Sequence, residues 1–332
     1  MVADKIISMD EQTTCIDKVS FNCNACGKCC NSAPLMSVSE LFYHESLFIG
    51  CLALRKVKQH NAGAILTAGN VSYPLSEEDV QLLEDLSEAQ LFKTNSGDGY
   101  FVSIMTQAKD YETLNRCPAL NEDQKCSIHD NRKPVVCSMV PFDSSYPDSM
   151  QNIVLISRRF DENCIAVGQP EGYHPVVVDR KVVNQQFREN LQKRRNDLSW
   201  EKQLWGNVVF QALRKELLYN PAQAATIPSE NNALLMSIIP VLQVLAGISE
   251  RTRNRCLRYV DNQIVLLDDK ISQAISRKSA ADKQTTREFR SFKEHYLKFR
   301  LQLAAIDLSR GNHSGGAEQQ NLIKKAQDYI GA

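Results

Sequence analysis

The sequence predicts a mainly α protein in which a small, irregular α+β cysteine-rich module is followed by an all-α helical bundle. Nine of the eleven cysteines fall between residues 23 and 164, among prolines and turn residues. Near residue 180 the short segments give way to long stretches with apolar residues at helical spacing. Beyond residue 255 two such stretches each present one continuous apolar seam. These observations divide the chain into a cysteine-rich domain at residues 1–180, a helical domain at 181–310 and a flexible C-terminal tail at 311–332. With 332 residues, 43% of them hydrophobic, the chain can bury a substantial core.

In the first part, residues 37–49 read as a helix carrying Leu41, Leu47 and Phe48. Ser76 with Asp79 forms a capping-box-like start to a second helix carrying Val80, Leu83, Leu86 and Leu91. A turn is expected between Asn95 and Gly99. It leads into a strand at 100–105, and Ile153 to Ile156 is a second strand candidate. In the second part, residues 182–198 and 200–218 are amphipathic, and 234–245 is apolar but interrupted by Pro240. Val260, Ile264, Leu267, Ile271 and Ala274 step by four and three, as do Phe289, Phe292, Tyr296, Phe299, Leu303 and Ile306. Two long helices in an antiparallel hairpin, joined near Ser279 to Lys283, are the economical arrangement. A glycine-rich run from Gly311 reads as a linker, and the last sixteen residues as at most a short helix.

Lysine plus arginine and aspartate plus glutamate balance at 39 each. The molecule therefore has no overall field to draw it to nucleic acid or to an anionic membrane, and neither is expected as a partner. The balance conceals an asymmetry, because residues 1–182 carry about eight more acids than bases and residues 183–310 about eight more bases than acids. A protein partner stays open. The arginines at 251, 253, 255 and 258 sit beside Glu250 and Asp261, which favours a solvated face or an interdomain contact over a nucleic-acid patch. Residues 1–14 contain no apolar run of the length a signal peptide needs, and no 18-residue apolar stretch follows, so a cytoplasmic protein is expected.

Cysteines in a reducing compartment stay as thiols unless something captures them, and metal is the usual captor. The strongest signal is the run Cys23-Asn-Ala-Cys26-Gly-Lys-Cys29-Cys30. Two-residue spacers let successive thiolates turn back toward one ion, and Gly27 can take the positive φ that such a turn uses. Adjacent residues tend to point apart, which makes Cys30 a natural ligand for a second site. Cys117, Cys126, Cys137 and Cys164 are the remote candidates. The eight expected metal ligands are thus Cys23, Cys26, Cys29, Cys30, Cys117, Cys126, Cys137 and Cys164, enough for two four-thiolate sites or for a cluster and a separate ion. Cys51 and Cys256 read as buried free thiols. His129 reads as a surface or hydrogen-bonding residue rather than a ligand, and Arg132 as a donor to a thiolate or carbonyl. All-sulfur sites suit zinc or iron–sulfur. Three thiolates from one tight run plus a remote one favour an iron–sulfur cluster, of 4Fe-4S type, with zinc as the alternative.

Over residues 20–170 the pattern resembles the YkgJ-type cysteine-cluster family, whose domain is described as zinc- or iron-chelating. The C-x-x-C-x-x-C-C run matches at Cys23 to Cys30. Further matches are Cys117, the segment from Cys126 to Arg132, the segment from Cys137 to Phe142, and Cys164. The chain departs from the pattern at Lys133, between Arg132 and Pro134, and at Ser138 and Val140, where arginine and phenylalanine are common. Flagellin lysine N-methylases have a similar cysteine cluster, and that resemblance implies a possible protein lysine N-methyltransferase. The chain has no glycine-rich strand-to-helix turn for S-adenosylmethionine. Three function classes follow: a metal- or cluster-binding protein, a protein lysine N-methylase, and an interaction protein stapled by a structural metal.

Overall fold

A computed structural model describes residues 18–24, 26–68, 71–94, 99–159, 163–215, 221–229, 232–305 and 317–332. The expected turn at 95–98, the linker at 311–316 and the seam residue Ile306 lie outside them. Contacts divide the chain into two units, each assembled from three stretches of sequence. The first comprises Met1–Cys26, His60–Leu86 and Met139–Lys193; the second comprises Gly27–Gln59, Ser87–Ser138 and Arg194–Ala332.

Strand β1 (Lys18–Phe21) precedes helix α1 (Val38–Tyr43), which opens on a capping box. Glu40 N donates to Ser37 Oγ at 3.3 Å, and Ser37 N to Glu40 Oε2 at 2.7 Å. The expected helix at 37–49 therefore covers only its first half, and Ile49 opens strand β2 (Ile49–Lys58). The hairpin of β3 (Ile65–Ala68) and β4 (Val71–Pro74) leads to α2 (Glu77–Gln90), capped reciprocally by Ser76 and Asp79 as the sequence predicts. Next come β5 (Phe92–Lys93), β6 (Tyr100–Lys109) and the single turn α3 (Val135–Ser138). Helix α4 (Gln151–Arg159), β7 (Ile165–Val167), β8 (His174–Val178) and β9 (Lys181–Val182) complete this part. Ile153 to Ile156 is thus helix and not strand. Residues 151–156 are all buried, and a run buried on every side carries no period from which to choose.

Helix α5 (Gln185–Glu201) passes through a π-turn at Lys202–Gly206 into α6 (Asn207–Leu213), followed by α7 (Pro221–Ala224). The apolar stretch at 234–245 divides into strand β10 (Leu234–Ser237) and helix α8 (Ile239–Ala246), with Pro240 in the first helical turn, where its missing N–H costs nothing. The two long helices are α9 (Glu250–Arg277) and α10 (Lys283–Ala305), joined at the predicted place through Lys278 and a 3-10 turn at Ala280–Asp282. Their predicted seams are buried at Val260, Leu267, Ile271 and Ala274 on one helix and at Phe289, Phe292, Tyr296, Phe299 and Leu303 on the other. The chain ends in α11 (Ala317–Ile330), a full helix docked through Ala326 and Ile330, where at most a short one was expected.

The expected mainly α architecture is corrected by these strands. Helix accounts for 53% and strand for 18%, which makes a mixed α/β fold with several antiparallel sheets. In the first unit the sheet order is β7-β1-β8-β9, with β3 and β4 forming a separate pair. In the second unit the order is β10-β2-β6-β5, so the helical hairpin shares its core with a four-stranded sheet and is not an independent bundle. Of the two candidate strands only the one at 100–105 is a strand, in β6, and the longest that the sequence did not reveal is β2. Its residues 49–54 are buried on both faces, which erases the alternation that marks a half-buried strand. Among the described residues no helix is long and apolar enough to cross a membrane.

One buried acid joins three elements of the second unit. At the end of α5, Glu201 accepts hydrogen bonds from Val38 N, the first residue of α1, and from Tyr329 OH on α11 at 3.0 Å. Burial pushes its carboxyl pKa up to about 7, against the opposing pull of Val38 N–H and Arg194. A carboxyl raised above its ordinary value of 4.5 binds more protons folded than unfolded. Its favourable contribution is therefore complete below that value and is lost as pH rises through about 7. Glu201→Gln keeps an acceptor for Val38 N–H and carries no charge. Thermal melts at acid and mildly alkaline pH are expected to show the variant more stable than the parent on the alkaline side, by on the order of 2 kcal/mol. An unchanged pH profile would show that another group titrates.

Candidate metal centre

Five of the eight predicted ligands lie in the second unit: Cys29, Cys30, Cys117, Cys126 and Cys137. Three backbone arrangements bring them there. In the first, the stretch Pro34–Met36 runs beside β6, with Met36 N donating to Thr106 O at 3.3 Å and Ala108 N to Pro34 O at 2.9 Å. Seven residues before Pro34, Gly27 takes φ 74°, as its predicted role requires, and its carbonyl accepts from Cys30 N at 2.8 Å. That bond closes the 3-10 turn Lys28–Cys30, which carries two of the thiols. In the second, the chain leaving β6 returns so that Cys117 N donates to Cys30 O at 2.7 Å. A tight loop then doubles back: Asn121 N donates to Lys125 O at 2.8 Å, Gln124 has a positive φ, and Leu120 pairs with Cys126. This loop sets Cys126 against the Cys117–Ala119 stretch.

The third arrangement holds Cys137. Val135 N, at the start of α3, donates to Glu40 Oε1 at 2.6 Å, so one carboxylate caps α1 and anchors the helix carrying the thiol. His44 Nε2 donates to Arg132 O at 2.9 Å, and the Arg132 guanidinium lies 4.3 Å from the centre of the Tyr43 ring. Arg132 thus serves as an anchor for its own loop, stacking on an aromatic face. The S-x-x-E signature at Ser37 to Glu40 is the local signal for Glu40; nothing in the sequence pairs it with Val135.

The sulfurs interact. Cys29 is among the neighbours that raise the Cys30 thiol. Burial pushes the Cys30 thiol up to about 12, and negative charge at Cys29, Cys117 or Cys126 would raise it further. Burial likewise lifts Cys137 to about 12, with Cys117 and Cys30 as contributing neighbours. Burial raises Cys117 too, opposed by a hydrogen bond from Ala119 N–H to its sulfur. That N–H···S bond, from the second residue after a cysteine, is the kind that stabilises a ligating thiolate.

Among the described residues no three His, Cys, Asp or Glu side chains stand at the spacing of a formed ion site. Burial favours the protonated thiol at Cys30, Cys117 and Cys137, so a cation that binds them must displace protons. The donor set is soft and all-sulfur, which fits zinc or an iron–sulfur cluster and disfavours hard cations.

The other three predicted ligands belong to the first unit. Cys23 follows β1 and Cys164 precedes β7, and Asn22 N donates to Cys164 O at 2.9 Å, so both lie at the same end of that strand pair. Cys26 N donates to Asn24 Oδ1 at 3.2 Å. His129 is exposed, with its backbone N–H on Cys126 O. Cys51 and Cys256 are fully buried, the first with its sulfur 3.5 Å from Gln107 O, in keeping with their reading as inert thiols. Burial pushes each up to about 12.

No protein-family model, curated protein or solved structure matches this chain.

The burial pattern sets an order of thiol reactivity. In protein freed of metal by chelation, an aromatic disulfide reagent is expected to modify the exposed Cys23, Cys26 and Cys29 first. Cys51 and Cys256 should react only on unfolding. Peptide mapping at intervals reads the order, and native-state labelling of Cys256 as fast as Cys26 would contradict it.

Proposed function

We propose that the chain is a metal-binding cysteine-cluster protein whose centre is held by thiolates of Cys29, Cys30, Cys117, Cys126 and Cys137. The observation that carries this reading is the gathering of five thiols from three separate stretches into one unit, each stretch fixed by its own hydrogen bonds. Buried free cysteines packed as hydrophobes, such as Cys51, have no need of one another. The reading favours an iron–sulfur cluster, which would supply one-electron redox chemistry. Support comes from the adjacent pair Cys29 and Cys30, carried on one 3-10 turn, because neighbouring sulfurs can go to different irons of a polynuclear centre. Zinc is the second reading. An all-sulfur donor set suits it equally. Cys23, Cys26 and Cys164 are further candidate ligands on the strength of spacing alone.

Protein purified anaerobically is expected to be brown and to contain iron and acid-labile sulfide; a colourless preparation containing zinc would select the second reading. Cys117→Ser and Cys137→Ser should each lose most of the bound metal, since a hard hydroxyl replaces a soft thiolate. Cys256→Ser should retain it. Because binding must expel thiol protons, metal retention against a competing chelator should weaken as pH falls. Full metal content in both the Cys117 and Cys137 variants would overturn the proposal.

A further inference from the structure

We propose that α11 is a releasable strap on the second unit, latched by the hydrogen bond from Tyr329 to the buried carboxyl of Glu201 and freed in mildly alkaline solution. Little apolar surface holds this helix. Two of its fourteen residues, Ala326 and Ile330, are buried, and Leu322 is 49% exposed. A helix of this length is marginal in water by itself, so it persists through its contacts and its amides lose protection when those contacts break.

The contacts are specific. Tyr329 sets its ring edge-on to Trp200 of α5, with centroids 6.4 Å apart, and Lys325 Nζ lies 3.8 Å from the centre of the Trp200 ring. Gln327 Nε2 donates to the Oγ of Ser249, the N-cap of α9, at 3.0 Å, and Arg255 Nε donates to Ile330 O at 3.2 Å. Tyr329 OH donates to Glu201 Oε1 at 3.0 Å. Of these bonds it alone has a carboxyl as acceptor.

Glu201 is 2% exposed, and the same oxygen, Oε1, also accepts from Val38 N. Burial pushes its carboxyl up to about 7; of the charged neighbours on its own helix, Arg194 opposes that rise and Asp197 adds to it. From α1 it meets the Val38 N–H, because Glu40 is engaged by Ser37 N and Val135 N, and His44 lies at the far end of the helix on Arg132 O. From α11 it meets the Tyr329 phenol. Once ionised, the carboxylate gains by reaching water. Helix α1 cannot give way to let water in, since Val38, Leu41 and Phe42 are buried in the core. The side that opens is α11. In water the carboxyl returns toward its ordinary 4.5, so docking is tightest below that value and weakens as pH rises to about 7.

Hydrogen exchange of the full chain, read by mass spectrometry and corrected for the intrinsic pH dependence of amide exchange, is the test. Protection of α11 is expected to fall about a hundredfold between about pH 5 and about pH 8, while the middle of α9 keeps its own. Glu201→Gln retains an acceptor for Val38 N–H and Tyr329 OH without the charge, and should hold α11 protected across the whole range. Tyr329→Phe leaves the ring on Trp200 and removes the latch, so α11 should exchange about fivefold faster even at about pH 5. The parent series and the tyrosine variant decide the matter if the glutamine variant misfolds. Protection of α11 that stays constant relative to α9 across the range would overturn the proposal. So would a pH response that survives Glu201→Gln, in which His44 is intact, or a Tyr329→Phe variant whose α11 exchanges as in the parent at the acid end.

Discussion

The second unit depends on one ladder, the ten-residue antiparallel pairing of β2 with β6, in register from Ile49 opposite Lys109 to Lys58 opposite Tyr100. Its strongest demand falls at Gly50. A Cβ there would stand 2.1 Å from Tyr259 OH, so glycine lets α9 close on the strand, and Gly50 N donates to Gln263 Oε1 at 2.9 Å across the same contact. The 107–109 end of β6 then sets the thiol loops. Pro34–Met36 is pinned beside residues 106–108, just after the Cys29–Cys30 turn, and the chain leaving Lys109 reaches Cys117 after one 3-10 turn at Glu112–Leu114. Both loops hang from the same end of one strand, and Cys117 N donates to Cys30 O between them. A slip of register by one residue would move Gly50 off Tyr259.

Around that ladder the charges are placed to hold elements together. Arg255 on α9 is buried and fully employed: its guanidinium donates to Glu45 Oε2 at 2.6 Å, to Phe42 O at 2.7 Å and to Ile330 O at 3.2 Å, and it lies over the Phe42 ring. One side chain of the basic run at 251–258 therefore fastens the turn after α1 and the end of α11 to the long helix. At the other end of α9, Lys270 pairs with the buried Asp110, and Arg277 pairs with Asp282, which also accepts from Thr113. These bonds fix the stretch between β6 and Cys117 to the hairpin. Buried pairs of this kind contribute more to a unique arrangement than to net stability, since each charge must first lose its water. A unique arrangement is what five thiols from three loops require.

What the sequence made legible follows from how each signal is encoded. The α9–α10 hairpin could be read because one face of each helix is buried and the other wet, so burial is written as period. The Ser76–Asp79 cap and the positive φ of Gly27 could be read because their cause is local. Strand β2 could not: Ile49 to Leu54 are buried on both faces, and an unbroken apolar run suits a strand and a helix equally. Leu234 to Ser237 failed for a related reason, since four residues merged with the apolar helix that follows. The gathering of Cys30, Cys117 and Cys137 was suggested by spacing, but the groups that hold them were not. Glu40 reaching Val135, and Lys270 reaching Asp110, are bonds between residues 95 and 160 positions apart, and no local pattern specifies them.

The same architecture bears on what a metal would be for. In small metal-stapled domains the ion stabilises a fold that has too little apolar surface to stand alone, and its removal unfolds the chain. The thiol loops here are attached to a unit with its own extensive core, running from Met36 and Leu41 through Trp205 and Tyr259 to Phe289 and Leu303. Cys117 belongs to that core, and Cys30 and Cys126 pack against its edge. Helix, sheet and core would persist without an ion, and the cost of losing it would fall on the loops that present the thiols. The centre proposed above would contribute little to the global fold, and this weighs against a purely structural staple.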